Sequence, residues 1–329
     1  MQAAIYHRYG APDVVALAEV AKPVPKDNEV LIRIHATTVT TGDWRARSLD
    51  LPGGFGFLGR PVFGFFGPRQ PILGTELAGE IEAVGAAVTR FKTGDAVFAF
   101  PGASYGGHAE YRTMKQDGLI ALKPANLSFE QAASLSFGGT TALGFLRDKG
   151  GIKAGDRVLI VGASGGVGSA AVQLARHFGA EVTGVCSTAN LDLVRSIGAD
   201  HVIDYTKEDF ATSGQSYDII LDTTGTVPFA RADNALKPGG RLLIVLGSFA
   251  QAIGLERPSK ASAKKVIAGV AVVTLEQLQT LAQLAETGAF KPVIDRLYPL
   301  ANAAEAHAYV DTGRKRGSVV LTVQPSRLR

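Results

Sequence analysis

The glycine-rich stretch GASGGVG, at residues 162–168, constrains the fold of this 329-residue chain more than any other feature of its sequence. It follows the apolar run VLIV and opens a segment in which Val167, Ala171, Leu174 and Phe178 recur at helical spacing. In a strand–loop–helix unit, glycines allow a tight turn and let a pyrophosphate approach the unpaired amides of the first helical turn. The pattern therefore predicts a dinucleotide site rather than a merely structural turn. Its residues would be Gly162, Ala163, Ser164, Gly165, Gly166, Val167 and Gly168.

Apolar runs after residue 155 indicate a doubly wound parallel sheet, because six of them alternate with helical or turn-rich segments. The runs are DRVLIVGA, EVTGVCS, HVIDY, YDIILDTTG, GRLLIVLG and KVIAGVAVV. The first 125 residues contain alternating runs such as EVLIRIHATTV, which predict an antiparallel, barrel-like β domain. We expect domains at residues 1–125 and 126–273, with residues 274–329 returning to the first domain.

Composition is that of an ordinary soluble enzyme, with 46% hydrophobic and 19% charged residues. No apolar run reaches the roughly 18 residues of a membrane span, and the first residues lack the layout of a signal peptide, so we expect a cytoplasmic protein without a membrane partner. The single cysteine, Cys186, excludes an intramolecular disulfide and a cysteine-cluster metal site. The net charge of +4 is small, and the basic stretches GRKRG and SRLR are interpreted as a solvated turn and tail rather than a nucleic-acid site.

The end of the second predicted strand of this sheet, VCSTAN, bears on the choice of cofactor. An acidic residue about twenty positions beyond the glycines would hold the ribose hydroxyls of NAD. Here Ser187 and Thr188 occupy that place, and Asn190 follows them. A carboxylate would repel a 2′-phosphate, whereas these side chains can donate hydrogen bonds to it. The sequence therefore predicts NADPH, although the nearest cations, Arg195 and Lys207, can be read as plain surface charges.

Several segments together resemble the medium-chain dehydrogenase/reductase superfamily, and specifically its zinc-free quinone oxidoreductase branch. They include PKDNEVLIRIHATTVTTGDWRARS, PILGTELAGEIEAVGAAVTRFKTGDAVFAF, GGHAEY, SFGGTTAL and the long segment around the glycine loop. The resemblance spans essentially the whole chain. It implies an α/β protein with a GroES-like β-barrel catalytic domain and a doubly wound Rossmann domain, and it favours a homodimer, for which the run KVIAGVAVV is the candidate edge strand.

The resemblance also indicates where zinc would be bound. Zinc-dependent relatives place ligands at positions that correspond here to Thr40, Thr75 and approximately Phe137, none of which is a conventional zinc ligand. Asp43 and Glu76 are present, but one or two carboxylates do not complete such a site. The segment after GDAVF has no cysteine for a structural zinc lobe. We therefore expect no metal.

Further site residues follow from the same resemblance. Thr141 matches a threonine near the nicotinamide and Tyr205 a tyrosine beside the ribose phosphate. We add Thr224, Leu246 and Gly247 to the expected cofactor site. The candidate catalytic hydrogen-bond donors are Thr40, Tyr105 and Thr75, with Thr40 standing where the branch commonly has asparagine. Among the histidines only His108 falls in a loop expected near the active site, and a solvated or packing role is favoured for it.

Without a metal, neutral donors suffice only if the substrate itself spreads the developing negative charge. The expected substrates are therefore small apolar quinones or α,β-unsaturated carbonyls. A zinc-free alcohol dehydrogenase or carbonyl reductase is one alternative, and a low-turnover NADPH-binding protein that acts through a partner is another. A phenylalanine-rich segment, LDLPGGFGFLGRPVFGFFGPRQP, shows no helical or strand period; it is either an apolar lid over the substrate or a loop anchored in the core.

Overall fold

A computed structural model of the chain describes residues 1–252 and 263–323, so the basic SRLR tail lies outside the described residues. The strands are β1 (Gln2–Ile5), β2 (Ala16–Glu19), β3 (Glu29–Val39), β4 (Leu77–Val84), β5 (Ala96–Ala99), β6 (Tyr111–Lys115), β7 (Ile120–Leu122), β8 (Arg157–Val161), β9 (Glu181–Cys186), β10 (His201–Asp204), β11 (Tyr217–Asp222), β12 (Leu236–Ile244), β13 (Lys265–Ala268), β14 (Ile294–Pro299) and β15 (Ser318–Thr322). The α-helices are α1 (Thr41–Ser48), α2 (Gly56–Phe63), α3 (Phe129–Ala133), α4 (Ser136–Leu143), α5 (Gly166–His177), α6 (Leu191–Ser196), α7 (Phe229–Asp233), α8 (Phe249–Ala252), α9 (Leu275–Glu286) and α10 (Ala303–Asp311).

The chain divides into two compact units. Unit 1 comprises residues 1–51, 56–137 and 274–329, and unit 2 comprises residues 52–55 and 138–273. The division near residue 137 falls inside α4, twelve residues beyond the boundary that the sequence pattern suggested. Within the described residues, no helix is long and apolar enough to cross a membrane.

Unit 2 contains a six-stranded sheet in the order β10-β9-β8-β11-β12-β13, in which every neighbouring pair is parallel. The six predicted apolar runs supply its strands, so the prediction of a doubly wound parallel sheet is confirmed. The last run forms a strand only over Lys265–Ala268, and this strand lies at the edge of the sheet. Strand order reverses between β8 and β11, and ligands of doubly wound folds bind at the carboxyl ends of strands around such a point.

Unit 1 is built around the eleven-residue strand β3. This strand pairs antiparallel with β4, β6 and β15, and β14 extends the sheet beyond β15 as a parallel neighbour. The alternation in EVLIRIHATTV places Val30, Ile32 and Ile34 in the buried core. The chain after residue 293 thus completes a sheet begun by the first forty residues.

The phenylalanine-rich segment departs from its prediction, because Gly56–Phe63 forms α2 although the sequence shows no helical period. Gly59 is buried in this helix, and a Cβ built there would lie 3.4 Å from Leu51 Cδ1. Gly59 thus packs closely against Leu51, in a helix that glycine and the internal Pro61 would disfavour.

A buried arginine ties the ends of unit 1 together. The side chain of Arg47, in α1, is completely buried, and its guanidinium donates to both carboxylate oxygens of Asp311 in α10, at 2.6 Å for Oδ2. It also donates to the carbonyl oxygen of Gly10, whose N–H donates in turn to the Arg47 carbonyl. Both bonds to Asp311 come from one guanidinium nitrogen, Nη2, and hydrogen bonds between ionised partners are stronger than those between neutral groups.

Replacing Arg47 with methionine should therefore destabilise unit 1 severely, because Asp311 and the Gly10 carbonyl lose their shared donor. We expect a loss of about 3 kcal/mol in the free energy of unfolding measured with urea. The control is Arg33→Met, which removes a half-exposed pair with Glu80 and should cost below about 1 kcal/mol. Equal losses in the two variants would contradict the role given to Arg47.

Candidate active-site residues in the two units

The loops that bear the predicted cofactor residues open at one edge of the parallel sheet. The strand register pairs Asp222 with both Val161 and Ile244, and it pairs Asp204 with Cys186. Val161 also pairs with Val185, the residue before Cys186, so β10, β9, β8, β11 and β12 end at nearly the same level, since parallel strands share one carboxyl edge. The residues that follow these ends include Gly162, Ser187, Tyr205, Thr224, Leu246 and Gly247.

The glycine loop fits a phosphate-bearing ligand. Gly162 has a positive φ of 79°, and a Cβ at Gly168 would lie 2.0 Å from the Gly162 carbonyl oxygen, so both glycines are required by the turn itself. Gly165 precedes the twelve-residue helix α5 and gives it no side-chain cap. A Cβ there would meet only the Gly162 oxygen, at 3.4 Å. The uncapped amides of α5 can bind an anion.

Asn190 connects this loop to the end of β9. Its Nδ2 donates to Ser164 Oγ at 3.1 Å and to Ser187 Oγ at 3.3 Å. Among the described residues, no group accepts the Ser187 hydroxyl proton, and Tyr205 is exposed beside it at the end of β10. The structure thus brings the predicted residues Ser164, Ser187 and Asn190 into one hydrogen-bonded group.

Thr188 does not agree with its predicted role as a donor to a 2′-phosphate. Its hydroxyl donates to Asp204 Oδ2 at 2.5 Å, and Asp204 also accepts from the Thr206 hydroxyl and N–H. The Thr188 and Thr206 hydrogen bonds lower the pKa of Asp204 to about 2. Lys207 Nζ lies 3.6 Å away. Sequence reasoning missed this carboxylate because it sought an acid only at the end of β9, and Asp204 ends the neighbouring strand.

A second carboxylate shapes the loop after β11. Asp222 is completely buried and accepts from the N–H groups of Thr224, Gly225 and Val227 at 2.8–3.0 Å, as well as from the Thr224 hydroxyl at 2.7 Å. The loop after β12 lies against it, since a Cβ at Gly225 would be 2.8 Å from the Leu246 carbonyl oxygen. The Thr224 hydroxyl proton is therefore used within the loop.

Helix α4 approaches the same glycine loop. A Cβ at Gly138 would lie 2.5 Å from the Gly166 carbonyl oxygen, so this contact requires glycine. Thr141 follows three residues later, which is one turn along the same face of the helix, and it is partly buried. Its predicted position near the nicotinamide end of the cofactor stays a prediction.

In unit 1, three hydroxyl and carboxylate groups form a buried chain. Thr40 caps α1, and its hydroxyl donates to Asp43 Oδ2 at 2.6 Å. The Thr75 hydroxyl oxygen lies 3.1 Å from the Thr40 hydroxyl oxygen. Because the Thr40 proton points to Asp43, Thr75 donates to Thr40. The other oxygen of Asp43 accepts from the Gly74 N–H at 2.8 Å, which fixes the loop that bears Thr75.

The three positions that the resemblance matches to zinc ligands, Thr40, Thr75 and approximately Phe137, converge around Gly42. A Cβ built at Gly42 would lie 3.3 Å from Thr40 Oγ1, 3.5 Å from Phe137 Cε2 and 3.7 Å from Thr75 Cγ2. In residues 1–252 and 263–323, no group of three or more histidine, cysteine, aspartate or glutamate side chains is placed to hold a metal ion. The donor set at Gly42, two hydroxyls and an aromatic ring, does not fit zinc.

Two tyrosines accompany this chain, and the sequence indicated only one of them. Tyr105 lies in a turn at a positive φ of 49° and is buried. Burial raises the pKa of its hydroxyl above the ordinary value, and the Asp43 carboxylate and Tyr6 raise it further. Tyr6 shows the same direction, from burial, Tyr9 and Asp43. Nothing in the described part of the chain hydrogen-bonds to either hydroxyl, so both protons are available to a ligand.

His108 lies in the core rather than at a site. It is fully buried, its Nε2 is 2.9 Å from the Thr38 carbonyl oxygen, and its ring meets His307 edge-on with centroids 5.5 Å apart. This geometry supports the packing role that the sequence favoured.

Glu76 adds a buried carboxylate behind Thr75. One of its oxygens accepts from the Thr38 hydroxyl and the other from the Phe137 N–H, both at 2.6 Å. Burial raises the pKa of Glu76 to about 7, although these hydrogen bonds and the charge of Lys315 act to lower it. Lys315 was expected in a solvated turn, but it is partly buried, and desolvation lowers its pKa to about 8. The turn GRKRG is thus folded against the sheet at its middle residue.

Comparison with known proteins identifies the class. Residues 26–124 match the family described as the alcohol dehydrogenase GroES-like domain, and residues 197–321 match the one described as zinc-binding dehydrogenase. The quinone oxidoreductase of Sus scrofa is 36% identical, with 93% of each chain covered. The 2-methylene-furan-3-one reductase of Solanum lycopersicum is 35% identical, and the chloroplastic NADPH-dependent alkenal/one oxidoreductase of Arabidopsis thaliana is 33% identical; each match covers 98% of this chain and 79% of the relative.

Among solved structures, the quinone oxidoreductase from Coxiella burnetii superposes with a TM-score of 0.87 at 29% identity, covering 98% of this chain and 99% of that one. The chain belongs to the medium-chain dehydrogenase/reductase superfamily, in its quinone oxidoreductase-like branch. Its fold is confirmed as a GroES-like domain combined with a Rossmann-type parallel sheet. It is an oxidoreductase of a family that uses a nicotinamide cofactor.

The raised pKa of Glu76 predicts a specific pH dependence of stability. The unfolded carboxyl releases its proton near pH 4.5 and the folded one near pH 7. Between these values the unfolded state binds fewer protons, so the free energy of unfolding falls as the pH rises. Glu76→Gln removes this contribution, and its stability relative to wild type should rise by about 3 kcal/mol between pH 4.5 and 7. Denaturant titrations at several pH values measure the difference.

The control for this prediction is Glu208→Gln, which changes an exposed carboxyl and should leave the pH profile of stability unchanged. A flat difference between Glu76→Gln and wild type would show that Glu76 ionises as it does in the unfolded chain.

Proposed function

We propose that the chain is an NADPH-dependent reductase of quinones and α,β-unsaturated carbonyls that works without zinc. The observation that carries the proposal is the buried chain from Thr75 through Thr40 to Asp43, with Phe137 beside it. It occupies the positions at which zinc-dependent members of the superfamily have ligands. Hydroxyls and an aromatic ring can shape a substrate site but cannot replace thiolate and imidazole.

In this proposal unit 2 binds the cofactor. The uncapped amides at the start of α5 bind its pyrophosphate, while Ser187, Asn190 and Tyr205 surround the ribose phosphate. Thr141, Thr224, Leu246 and Gly247 contact the nicotinamide half. When bound, NADPH supplies the hydride. The protein's task is then to bind, orient and exclude water.

Unit 1 would bind the substrate and stabilise the charge that develops on its oxygen. Tyr105 is the leading donor, because its hydroxyl is buried within the electrostatic reach of Asp43 and no described group accepts its proton. The chain from Thr75 to Asp43 keeps the Thr40 proton internal, so Thr40 and Thr75 act by shape and by their remaining lone pairs. Neutral donors stabilise a delocalised enolate or semiquinone-like charge better than they could a simple alkoxide.

The relatives support this choice of substrate and cofactor. Two of those reported are quinone oxidoreductases, one is an alkenal/one oxidoreductase described as NADPH-dependent, and one reduces a methylene-furanone. The exposed edge strand β13 is where we propose that two copies pair as a homodimer.

The substrate proposal is tested by NADPH oxidation with a quinone, an enone and a simple ketone of similar size. We expect kcat/KM for the quinone or the enone to exceed that for the ketone at least tenfold. Activity should survive a chelator, and elemental analysis should find no stoichiometric zinc. Preferred turnover of the ketone would instead identify a carbonyl reductase. Absence of turnover with all three would leave only a nucleotide-binding role.

Cofactor preference is tested with Ser187→Asp. The hydroxyl of Ser187 can donate to a 2′-phosphate, and a hydrogen bond to a charged group is worth roughly 1.5–3 kcal/mol. We expect wild type to prefer NADPH by kcat/KM, and the aspartate to reduce that preference on the order of a hundredfold through repulsion of the phosphate. Ser213→Asp, an exposed change elsewhere in unit 2, is the control and should leave the preference unchanged. Equal use of both cofactors by wild type would refute the assignment.

A further inference from the structure

The turn that follows α2 exposes two adjacent aromatic side chains. Phe66 is fully exposed, and 55% of Phe65 is accessible to solvent. Val62, in the last turn of α2, is 57% exposed. Aromatic rings rarely stand in water together unless something covers them. The core-anchor interpretation of this segment therefore holds for Phe63, which packs against the core of unit 1, but not for Phe65 and Phe66.

The backbone beneath these rings is held firmly. Gly64 has a φ of +131°, and a Cβ there would lie 2.0 Å from the Gly67 carbonyl oxygen. The Tyr9 hydroxyl donates to the Gly64 carbonyl at 2.9 Å and is 3.3 Å from that of Gly67. Arg60 donates to the Phe65 carbonyl at 2.6 Å. The turn is thus a braced projection that presents its rings outward, unlike a hinged lid.

The two charged residues nearest to this turn in the sequence, Arg60 and Arg69, are both cationic and exposed. Between residues 51 and 75 the sequence contains Arg60 and Arg69 and no aspartate or glutamate. Burial raises the pKa of the Tyr9 hydroxyl, and both arginines oppose that rise, which is consistent with cations on either side of the turn. Exposed aromatic rings flanked by arginines match the boundary of an anionic bilayer, where rings enter the headgroup region and cations meet the lipid phosphates.

We propose that the Phe65–Phe66 turn docks this protein on the surface of anionic membranes. A second copy is disfavoured as the occupant, because a two-fold interface across this patch would bring the arginines of both copies together. Docking of this kind needs no spanning helix, so it revises the expectation of no membrane partner without conflicting with the absence of such a helix in the described residues. Membrane docking would give the enzyme access to quinones dissolved in lipid, an inference that rests on the proposed function.

Vesicle binding tests the proposal directly and needs no substrate. The probes are sedimented vesicles of phosphatidylcholine alone and of phosphatidylcholine with 30% phosphatidylserine, a composition chosen at about the level that gives a marked negative surface potential. Wild type should bind the anionic vesicles at least about tenfold more tightly than the neutral ones. Phe65→Ser with Phe66→Ser should weaken that binding about tenfold or more, and Arg69→Glu should remove most of the preference for anionic lipid.

Val24→Ser, which changes an exposed apolar residue elsewhere in unit 1, is the matched control and should bind as wild type does. The exposed positions of the two phenylalanines predict unchanged thermal unfolding of the double variant. Failure of wild type to bind anionic vesicles, or equal binding by the double variant, overturns the proposal. A raised KM for a water-soluble quinone with unchanged vesicle binding would identify a lid, and a changed oligomeric state with unchanged vesicle binding would identify a self-association surface; both results also overturn it.

Activity separates this proposal from the proposed function. With a water-soluble quinone, the double variant should retain the kcat/KM of wild type. With a long-chain quinone dissolved in anionic vesicles, its rate should fall about tenfold, in parallel with binding. Vesicle binding by a wild type that reduces no quinone would leave the docking surface supported while refuting the substrate assignment.

Discussion

The carboxylate of Asp43 is the interaction on which the geometry of unit 1 depends. It accepts from the Thr40 N–H and hydroxyl and from the Gly74 N–H, and it thereby joins the start of α1 to the loop that leads into β4. Burial raises the pKa of Tyr6 and Tyr105, and the charge of Asp43 raises both further. One buried carboxylate therefore fixes Thr40 and the loop that bears Thr75.

How far the sequence could predict the fold differs between backbone and side chains. The sequence could identify Gly162 and Gly168 because the turn and the packing of the helix leave no room for a Cβ at either position. That constraint is local to the motif. The parallel sheet was predicted because apolar runs alternate with helical or turn-rich segments along the chain. The sequence did not predict the helix Gly56–Phe63, because its apolar residues show no helical period. The contact of Gly59 with Leu51 is visible only in the structure.

The sequence predicted candidate site positions, but it did not predict the hydrogen bonds among them. The sequence drew attention to the end of β9, and the structure shows that the Thr188 hydroxyl there donates to Asp204 of the neighbouring strand. Tyr6 lies far from every motif in the sequence, and only the fold brings it close enough for the Asp43 charge to raise its pKa. Pairings of this kind depend on strand order and register, which a single sequence does not specify.

Both units use buried or half-buried carboxylates in the same way. Asp43, Asp204 and Asp222 each accept the hydroxyl proton of a nearby threonine together with one or more backbone N–H groups. These threonines therefore stabilise loops, and their protons are unavailable to a ligand unless a carboxylate releases them. Among the described residues at predicted positions, the hydroxyls of Tyr105, Ser164, Ser187 and Tyr205 donate to no protein group. Recognition of substrate and cofactor would then depend on a small number of free hydroxyl donors, in loops that these hydrogen-bonded carboxylates stabilise.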